Sequence, residues 1–406
     1  MTSDPAHPRV VFVNRYYWPD ELATAQLLTD LAEGLAARGV AVTAIASHDG
    51  APTTPARVAR RGVEITRVRA TRWGRRSFAG KAADYLTFTL AARRALRTRL
   101  HAGDWLVALT DPPALAPLAA SAARRARARL VHWLQDIHPE ISLTLSGSPL
   151  LALLARPWMR RRDAAWRHAD ACVAISRDMA ALVAERGVPP ARVRVIPNWA
   201  PGGDALAPVP AEANWLRQEL GLAGKFVVAY SGNLGRVHAL EPVLAAAALL
   251  RDEPDLLFLF AGDGPRRPAL EAQARQLGLA NVRFGPAQPR ARLAESLCVG
   301  DVHLVTLRAG CERLVFPSKL YGILAVARPI VYVGPPAGEL AEAVRRSGAG
   351  LTVDVADPPA LAAALRELRA DAARRVAMAG AATRWSRATG GLPAALAAWT
   401  ELLAPG

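Results

Sequence analysis

The feature that constrains this chain most is an alternation. Short β-branched or leucine-rich runs give way repeatedly to longer alanine- and leucine-rich stretches with apolar residues at helical spacing. A short apolar run bounded by turn residues suits a strand buried on both faces, and parallel neighbours need a helical crossover between them. The pattern therefore predicts βα units and parallel sheets. Residues 10–13 open it as a strand, and 24–38 follow as a helix with Leu28, Leu31 and Leu35 on one face. Gly39 stops that helix, and 42–46 is the next strand. Further strands are predicted at 63–68, 106–109, 130–134, 171–175 and 193–196, with helices at about 80–100, 114–127 and 150–168. That gives seven strands in one doubly wound domain.

Residues 198–210, with Pro201, Gly202, Gly203, Pro208 and Pro210, cannot continue a helix or a central strand and read as a linker. After Lys225 the alternation restarts, with strands at 226–230, 257–261, 282–284, 302–305, 330–333 and 351–353. A chain of 406 residues, half of them apolar, is long enough for two such cores. The expected fold class is α/β, two Rossmann-like domains whose parallel sheets face a central cleft with their carboxyl ends.

Charge separates the halves further. The formal net charge is +16, and residues 1–200 hold 29 basic residues against 16 acidic ones, whereas residues 201–406 hold 22 against 19. Arginines cluster at Arg72, Arg75 and Arg76, at Arg93, Arg94, Arg97 and Arg99, at Arg124, Arg125, Arg127 and Arg129, and at Arg160 to Arg162. Such patches suit an anionic leaflet, where each basic group contributes on the order of 1 kcal/mol, or a nucleic acid. Only three lysines occur, Lys81, Lys225 and Lys319, so part of the clustering is a general preference for arginine. Residues 143–158 add Leu145, Leu150, Leu153, Leu154 and Trp158 beside Arg156, which fits either a helix lying against lipid or an ordinary packed helix. No nucleic-acid motif accompanies the arginines.

Cys172, Cys298 and Cys311 are too few and too far apart for a disulfide framework or a C-x-x-C cluster. His101, His132, His138 and His168 lack partners at ligand spacing, so no metal and no cofactor is expected. No signal-peptide pattern opens the chain, and no apolar run reaches about 18 residues. The expected location is cytoplasmic, peripheral at the inner face of the cell membrane.

Four segments carry chemistry. Residues 14–21, Asn-Arg-Tyr-Tyr-Trp-Pro-Asp-Glu, form a polar and aromatic loop at the end of the first strand, where aromatics can stack on a sugar and Glu21 can accept hydroxyl hydrogen bonds. Ser231-Gly232-Asn233-Leu234-Gly235-Arg236 is a strand-to-helix glycine turn suited to a phosphate, with Arg236 placed to stabilise a departing diphosphate. Gly262-Asp263-Gly264-Pro265 repeats that turn at the next strand and suits a base or ribose; a plain tight turn explains either one alone. Phe316-Pro317-Ser318-Lys319 opens a helix with a cation in its first turn, where it opposes the helix dipole unless an anion is bound. A lysine snorkelling to solvent is the competing reading. Asp136 and Glu140 flank His138 after a strand and suit a general-base or positioning role towards a hydroxyl. His132 and His138 suit a structural role equally.

The strings YYWPDELATA, QDIHPE, VIPNWAP, YSGNLGR, LFAGDGP and PSKLYGILAVARPIVYVG resemble the retaining GT-B glycosyltransferases of family four over nearly the whole chain, and within them the bacterial exopolysaccharide and O-antigen branch with its fucosamine and colanic-acid transferases. The resemblance implies an acceptor-binding domain at 1–200, a nucleotide-sugar-binding domain at 201–385, and a C-terminal helix at 386–406 packing back towards the first domain. It implies a donor site at Gly232, Asn233, Arg236, Gly262, Asp263, Ser318, Lys319 and Glu339, with Glu21 and Asp136 facing the acceptor or the transferred sugar. Catalytic roles fall to Glu21, Asp136, Arg236 and Lys319. Six positions depart from the family pattern: Leu22-Ala23 stand for a glycine pair, Asn233 and His238 for an arginine and a lysine, Gln135 for a histidine, and Gly322 for the second of two glutamates.

The expected function is transfer of a sugar from a nucleotide-sugar donor, UDP preferred and GDP close behind, to a polyprenyl-diphosphate-linked saccharide acceptor in exopolysaccharide or lipopolysaccharide biosynthesis. Fixed cations can stabilise the leaving diphosphate without a metal, and no D-x-D pair stands at a strand end. Retention follows from the resemblance alone. The alternatives are a nucleotide-sugar 2-epimerase of the same architecture, a non-catalytic sugar-nucleotide binder, and a nucleic-acid-binding protein.

Overall fold

The computed structural model describes residues 9–48, 54–74, 78–203 and 206–404. Arg75 and Arg76 of the first arginine cluster lie outside the described residues. The chain divides into two compact units at Pro197/Asn198 and again at Leu392/Pro393, so its last segment returns to the first unit.

The first unit is built on β1 (Val10–Val13), β2 (Val42–Ser47), β3 (Arg57–Arg60), β4 (Val63–Val68), β5 (Trp105–Ala108), β6 (Arg129–Leu134), β7 (Ala171–Ala174) and β8 (Val193–Val195). They form one sheet in the order β3-β4-β2-β1-β5-β6-β7-β8. Val10 to Val13 are fully buried, and Leu27, Leu28, Leu31 and Leu35 of the helix Ala23–Ala36 are buried with them. Each such side chain contributes roughly 1.5–3 kcal/mol by leaving water. Gly39 leaves that helix at φ +85, a conformation that favours glycine.

Two expectations are corrected here. Among the described residues the sheet has eight strands rather than seven, because β3 pairs antiparallel with β4 at the edge, Arg57 opposite Thr66 and Arg60 opposite Val63. Its sequence, Arg-Val-Ala-Arg, is half exposed and carries no apolar run, which an edge position does not require. The helix predicted at 150–168 is preceded by a separate one, Glu140–Ser146, which ends at Gly147. The helix Pro149–Arg167 then starts afresh, with the Ser148 hydroxyl accepting from the Leu151 amide at 3.3 Å.

The C-terminal helix Gly391–Leu402 completes this unit. Trp399, fully buried, meets Trp133 of β6 edge-on with ring centroids 5.2 Å apart. Leu396 fills the space over Gly34, where a β-carbon would stand 2.7 Å from the leucine.

The second unit holds β9 (Phe226–Ser231), β10 (Leu256–Ala261), β11 (Val282–Gly285), β12 (Val302–Thr306), β13 (Ile330–Val333) and β14 (Gly350–Val353), parallel throughout, in the order β11-β10-β9-β12-β13-β14. Its core gathers Val228, Tyr230, Phe258, Phe260 and Leu304 with Leu244, Leu361 and Leu365 from the covering helices. In both sheets the chain order reverses once, between β1 and β5 in the first and between β9 and β12 in the second. In an open α/β sheet a ligand crevice usually lies at the carboxyl ends of such a strand pair.

Candidate functional site

At the reversal in the second sheet, the turn after β9 and the turn after β10 are zipped together by backbone. Leu234 donates to the Asp263 carbonyl at 2.8 Å, and Arg266 donates to the Leu234 carbonyl at 3.1 Å. The packing leaves no room for side chains. A β-carbon on Gly262 would stand 1.9 Å from the Gly232 carbonyl oxygen, and one on Gly264 2.6 Å from Asn233 Oδ1. Gly232 and Gly262 also have φ of +123 and +154. Asp263 is exposed, and its Oδ1 accepts from the Gly264 amide at 2.7 Å, which shapes its own turn. Arg236 stands exposed on the first turn, ahead of the helix Glu241–Leu249.

Lys319 enters this crevice from the other side of the reversal, as the first residue of the helix Lys319–Ala325 after β12. Its ammonium nitrogen does not reach solvent and has no hydrogen-bond partner. It lies 3.5 Å from the centroid of the Tyr230 ring, and a β-carbon on Gly232 would stand 3.5 Å from it. Burial holds its pKa well below the ordinary lysine range. Lys319 therefore does not snorkel. Ser318 precedes it at the helix start, and Glu339 opens the helix Glu339–Ser347 near enough to Tyr321 to raise that phenol's pKa after burial itself.

Two of the departures from the family pattern have a local explanation. A β-carbon on Gly322 would stand 3.1 Å from Leu297, so a glutamate there would require that leucine of the neighbouring helix Leu293–Cys298 to give way by a few tenths of an ångström. His238 is buried, with Nδ1 2.8 Å from the Thr306 carbonyl, and burial lowers its pKa to about 3. It is a neutral imidazole where the family has a cation.

At the reversal in the first sheet, the loop after β1 meets the loop after β5, the Arg15 amide donating to the Asp111 carbonyl at 3.0 Å. The Arg15 guanidinium pairs with Asp84 at 3.0 Å and lies against the Tyr16 and Tyr85 rings. Asp111, absent from the sequence reading, has one oxygen sealed from solvent without a partner, and desolvation pushes its pKa up to about 6 against the pull of Arg15 and Lys81. Asp136 follows the adjacent strand β6, its amide donating to Thr110 Oγ1 at 3.3 Å. Surrounding protein, then the Asp111 charge, moves its pKa up to about 6, although its exposed side chain lets solvent screen part of that effect. Glu21 is exposed at the end of the β1 loop, and its carbonyl accepts from Gln26 Nε2 at 2.7 Å.

Three sequence expectations fail in this unit. Glu140 is no general base, because Arg162 grips both its oxygens and Arg186 adds a third contact at 3.1 Å. Arg162 itself is buried, stacked 4.1 Å over Trp166, and does not belong to a surface cluster with Arg160 and Arg161. Of the loop aromatics, Tyr17 is buried and closed to a sugar, whereas Trp18 stays exposed and lies against Arg60 and Arg67 at 4.4 and 5.6 Å. The Glu140–Arg162 and Trp18–Arg60 pairings span tens of residues and leave no local trace.

Among the described residues, no group of three acidic, histidine or cysteine side chains is placed to hold a metal, and no helix is long and apolar enough to cross a membrane.

Residues 24–199 match the Glycosyl transferase 4-like domain, and residues 225–371 match Glycosyl transferases group 1. The candidate colanic acid biosynthesis glycosyl transferase WcaI of Escherichia coli (strain K12) is 33% identical over 60% of this chain, and the match spans 61% of its own length, under two thirds. The candidate glycosyltransferase WbjE of Pseudomonas aeruginosa is 32% identical, with 67% of this chain and 68% of that protein covered. Anabaena Alr3699/HepE, solved with UDP and glucose, superposes with a TM-score of 0.76 at 20% identity over 98% of this chain and 99% of its own. WaaG, a glycosyltransferase involved in lipopolysaccharide biosynthesis, superposes with a TM-score of 0.74 at 17% identity over 98% and 100%.

Two Rossmann-like units, each with a crevice where its strand order reverses, define the GT-B architecture of glycosyltransferases. The chain belongs to the glycosyltransferase family formed by a Glycosyl transferase 4-like domain followed by a group 1 domain.

Proposed function

We propose that this chain transfers a sugar from a nucleoside-diphosphate sugar, UDP before GDP, to a saccharide carried on a polyprenyl diphosphate, in the assembly of cell-surface polysaccharide. The observation that carries the donor half is the Lys319 ammonium, enclosed beside the Gly232 turn with no acceptor of its own. Leaving such a group unpaired is costly, and a diphosphate over the turn supplies the missing anion. Arg236 adds a second cation, Gly232 and Asn233 shape the turn, Gly262 and Asp263 lie towards the base, and Ser318 and Glu339 complete the ribose and phosphate side.

In the reaction, the bond between the anomeric carbon and the diphosphate oxygen breaks and the acceptor oxygen bonds to the same carbon. The acceptor proton passes to the leaving diphosphate. Arg236 and Lys319 stabilise the charge that develops there, and no metal is needed for that step. Glu21 and Asp136 orient acceptor and sugar hydroxyls, and the configuration is retained. The UDP carrier draws support from the ligands of HepE, and the polysaccharide role from the names of WcaI and WaaG.

A peripheral site at the inner face of the membrane fits the helix Pro149–Arg167, where Leu150, Leu151, Leu153 and Leu154 are exposed beside exposed Arg156, Arg160 and Arg161. Co-sedimentation with anionic but not neutral vesicles tests this.

The donor site is tested by thermal stabilisation with UDP, GDP, ADP and dTDP. A ligand at a hundred times its dissociation constant stabilises by about 2.7 kcal/mol. One diphosphate is expected to stabilise the wild type and not Lys319→Met. Stabilisation by none of the four rules the donor site out. Release of an altered donor sugar without any acceptor marks the 2-epimerase instead.

A further inference from the structure

Tyr230, next to the last residue of β9, is bound to both halves of the donor crevice. Its ring face lies 3.5 Å from Lys319 Nζ, and its hydroxyl donates to the Asn233 carbonyl at 2.8 Å. The ring is fully buried, with the His238 ring edge-on at 5.8 Å and Phe260 at 6.1 Å, so it cannot swing away from either contact.

We infer that Tyr230 is the positioning residue of the donor crevice: its ring seats the Lys319 ammonium and its hydroxyl fixes the Gly232–Arg236 turn, so that two groups serving one diphosphate keep a fixed separation. The inference rests on the donor-site reading above. A carboxylate in the ring's place would neutralise the lysine before any ligand arrived. A ring face attracts the cation through its quadrupole without neutralising it, and leaves N–H donors for phosphate oxygens.

The other titratable groups that face Lys319 do not compete. His238 comes from the turn after β9 and His303 from β12, and burial lowers their pKa values to about 3 and about 4, so both are neutral near pH 7. No carboxylate lies within hydrogen-bond distance of the ammonium among the described residues.

The chain has three lysines, so protein labelled with carbon-13 at the lysine ε-carbon gives three methylene signals, and Lys319→Arg assigns one of them. The expected result is a Lys319 methylene displaced upfield by the ring in wild type and in Tyr230→Phe, and not in Tyr230→Leu. By calorimetry, Tyr230→Phe binds UDP about fivefold more weakly, the value of one lost neutral hydrogen bond. Tyr230→Leu binds more weakly still, because it loses the ring's hold on Lys319 as well as the hydrogen bond. Tyr230→Phe keeps the ring volume and remains informative if the leucine variant does not fold.

An unshifted Lys319 methylene in the wild type, or a Tyr230→Phe protein that binds UDP as tightly as wild type, overturns the inference. A wild type that shows the ring shift but binds none of UDP, GDP, ADP and dTDP overturns the donor-site reading itself.

Discussion

Arg308 Nη2 stands 2.7 and 2.8 Å from the two oxygens of Glu241, while its Nε donates to the Arg236 carbonyl at 2.9 Å. Arg266 closes on the same carboxylate, and the Arg308 amide donates to the Val237 carbonyl at 2.8 Å. The loop after β12 thereby holds the turn that carries Arg236. Arg308→Ala is expected to weaken UDP binding about tenfold, or about 1.4 kcal/mol, by loosening that turn. Its cost in stability is only about 1 kcal/mol, because both partners are about a third exposed, at 31% and 32%. Calorimetry read beside a thermal melt checks this; a stability loss with unchanged affinity contradicts it.

Glu140 and Arg162 form the opposite case, a pair sealed in the first unit. Burial alone would raise the Glu140 pKa, but the hydrogen bonds and charge of Arg162 outweigh it and hold the carboxyl below its ordinary range. That stability is present above the unfolded pKa of Glu140 and is lost as pH falls through the lower folded value. Glu140→Ala leaves the buried Arg162 with only Asp163 and the His138 carbonyl and is expected to cost about 3–5 kcal/mol. Denaturant melts near neutral pH measure it, and a loss below about 1 kcal/mol would mean that Arg162 relaxes to solvent.

Groups of opposite sign share the mildly acidic range. His132 and His303 have pKa values lowered to about 4 by burial, from 6.5, so the unfolded chain binds more protons between those values and stability falls as pH drops from 6.5 to 4. Asp111 works the other way. Its pKa is raised to about 6 from 3.8, so its charged form destabilises the fold above pH 6 and the penalty fades by pH 4. Asp111→Asn is therefore expected to stabilise the protein near neutral pH by on the order of 2 kcal/mol, and by little at pH 4. Melting temperatures of both proteins across that range decide it, since a pH-independent difference would point to packing rather than ionisation.

Gly262→Ala should fail for two separate reasons. The new methyl would overlap the Gly232 carbonyl oxygen, and φ +154 is a conformation that alanine rarely adopts. The turns must part, with an expected cost of about 2–4 kcal/mol and loss of UDP binding. Gly278→Ala is the control: it also has positive φ, at +63, but nothing stands near its β-carbon. It should keep UDP affinity while losing about 1 kcal/mol.

The parallel strands and the glycine turns were legible because each is a local pattern. Val10 to Val13 and Leu256 to Ala261 read as buried strands on their own, and the turns at Gly232 and Gly262 follow such strands directly. The environments of the side chains were not. Nothing near Lys319 in sequence announces Tyr230 beneath it, and nothing near Glu140 announces Arg162, twenty-two residues on, as its owner. Asp111 was missed because a lone aspartate before two prolines looks like any turn. Its importance lies in Arg15, Lys81 and Asp136, which only the order of the strands brings close.

The helix Gly391–Leu402 has a consequence for how the chain is made. Trp399 and Leu396 fill space beside Trp133 and Gly34, so the core of the first unit is whole only after the second unit, which lies between its two parts in the chain, has been synthesised. Until then the second unit can already have folded, while the first stands with an open apolar socket. The nascent chain is exposed to aggregation at that socket for as long as the second unit is being made.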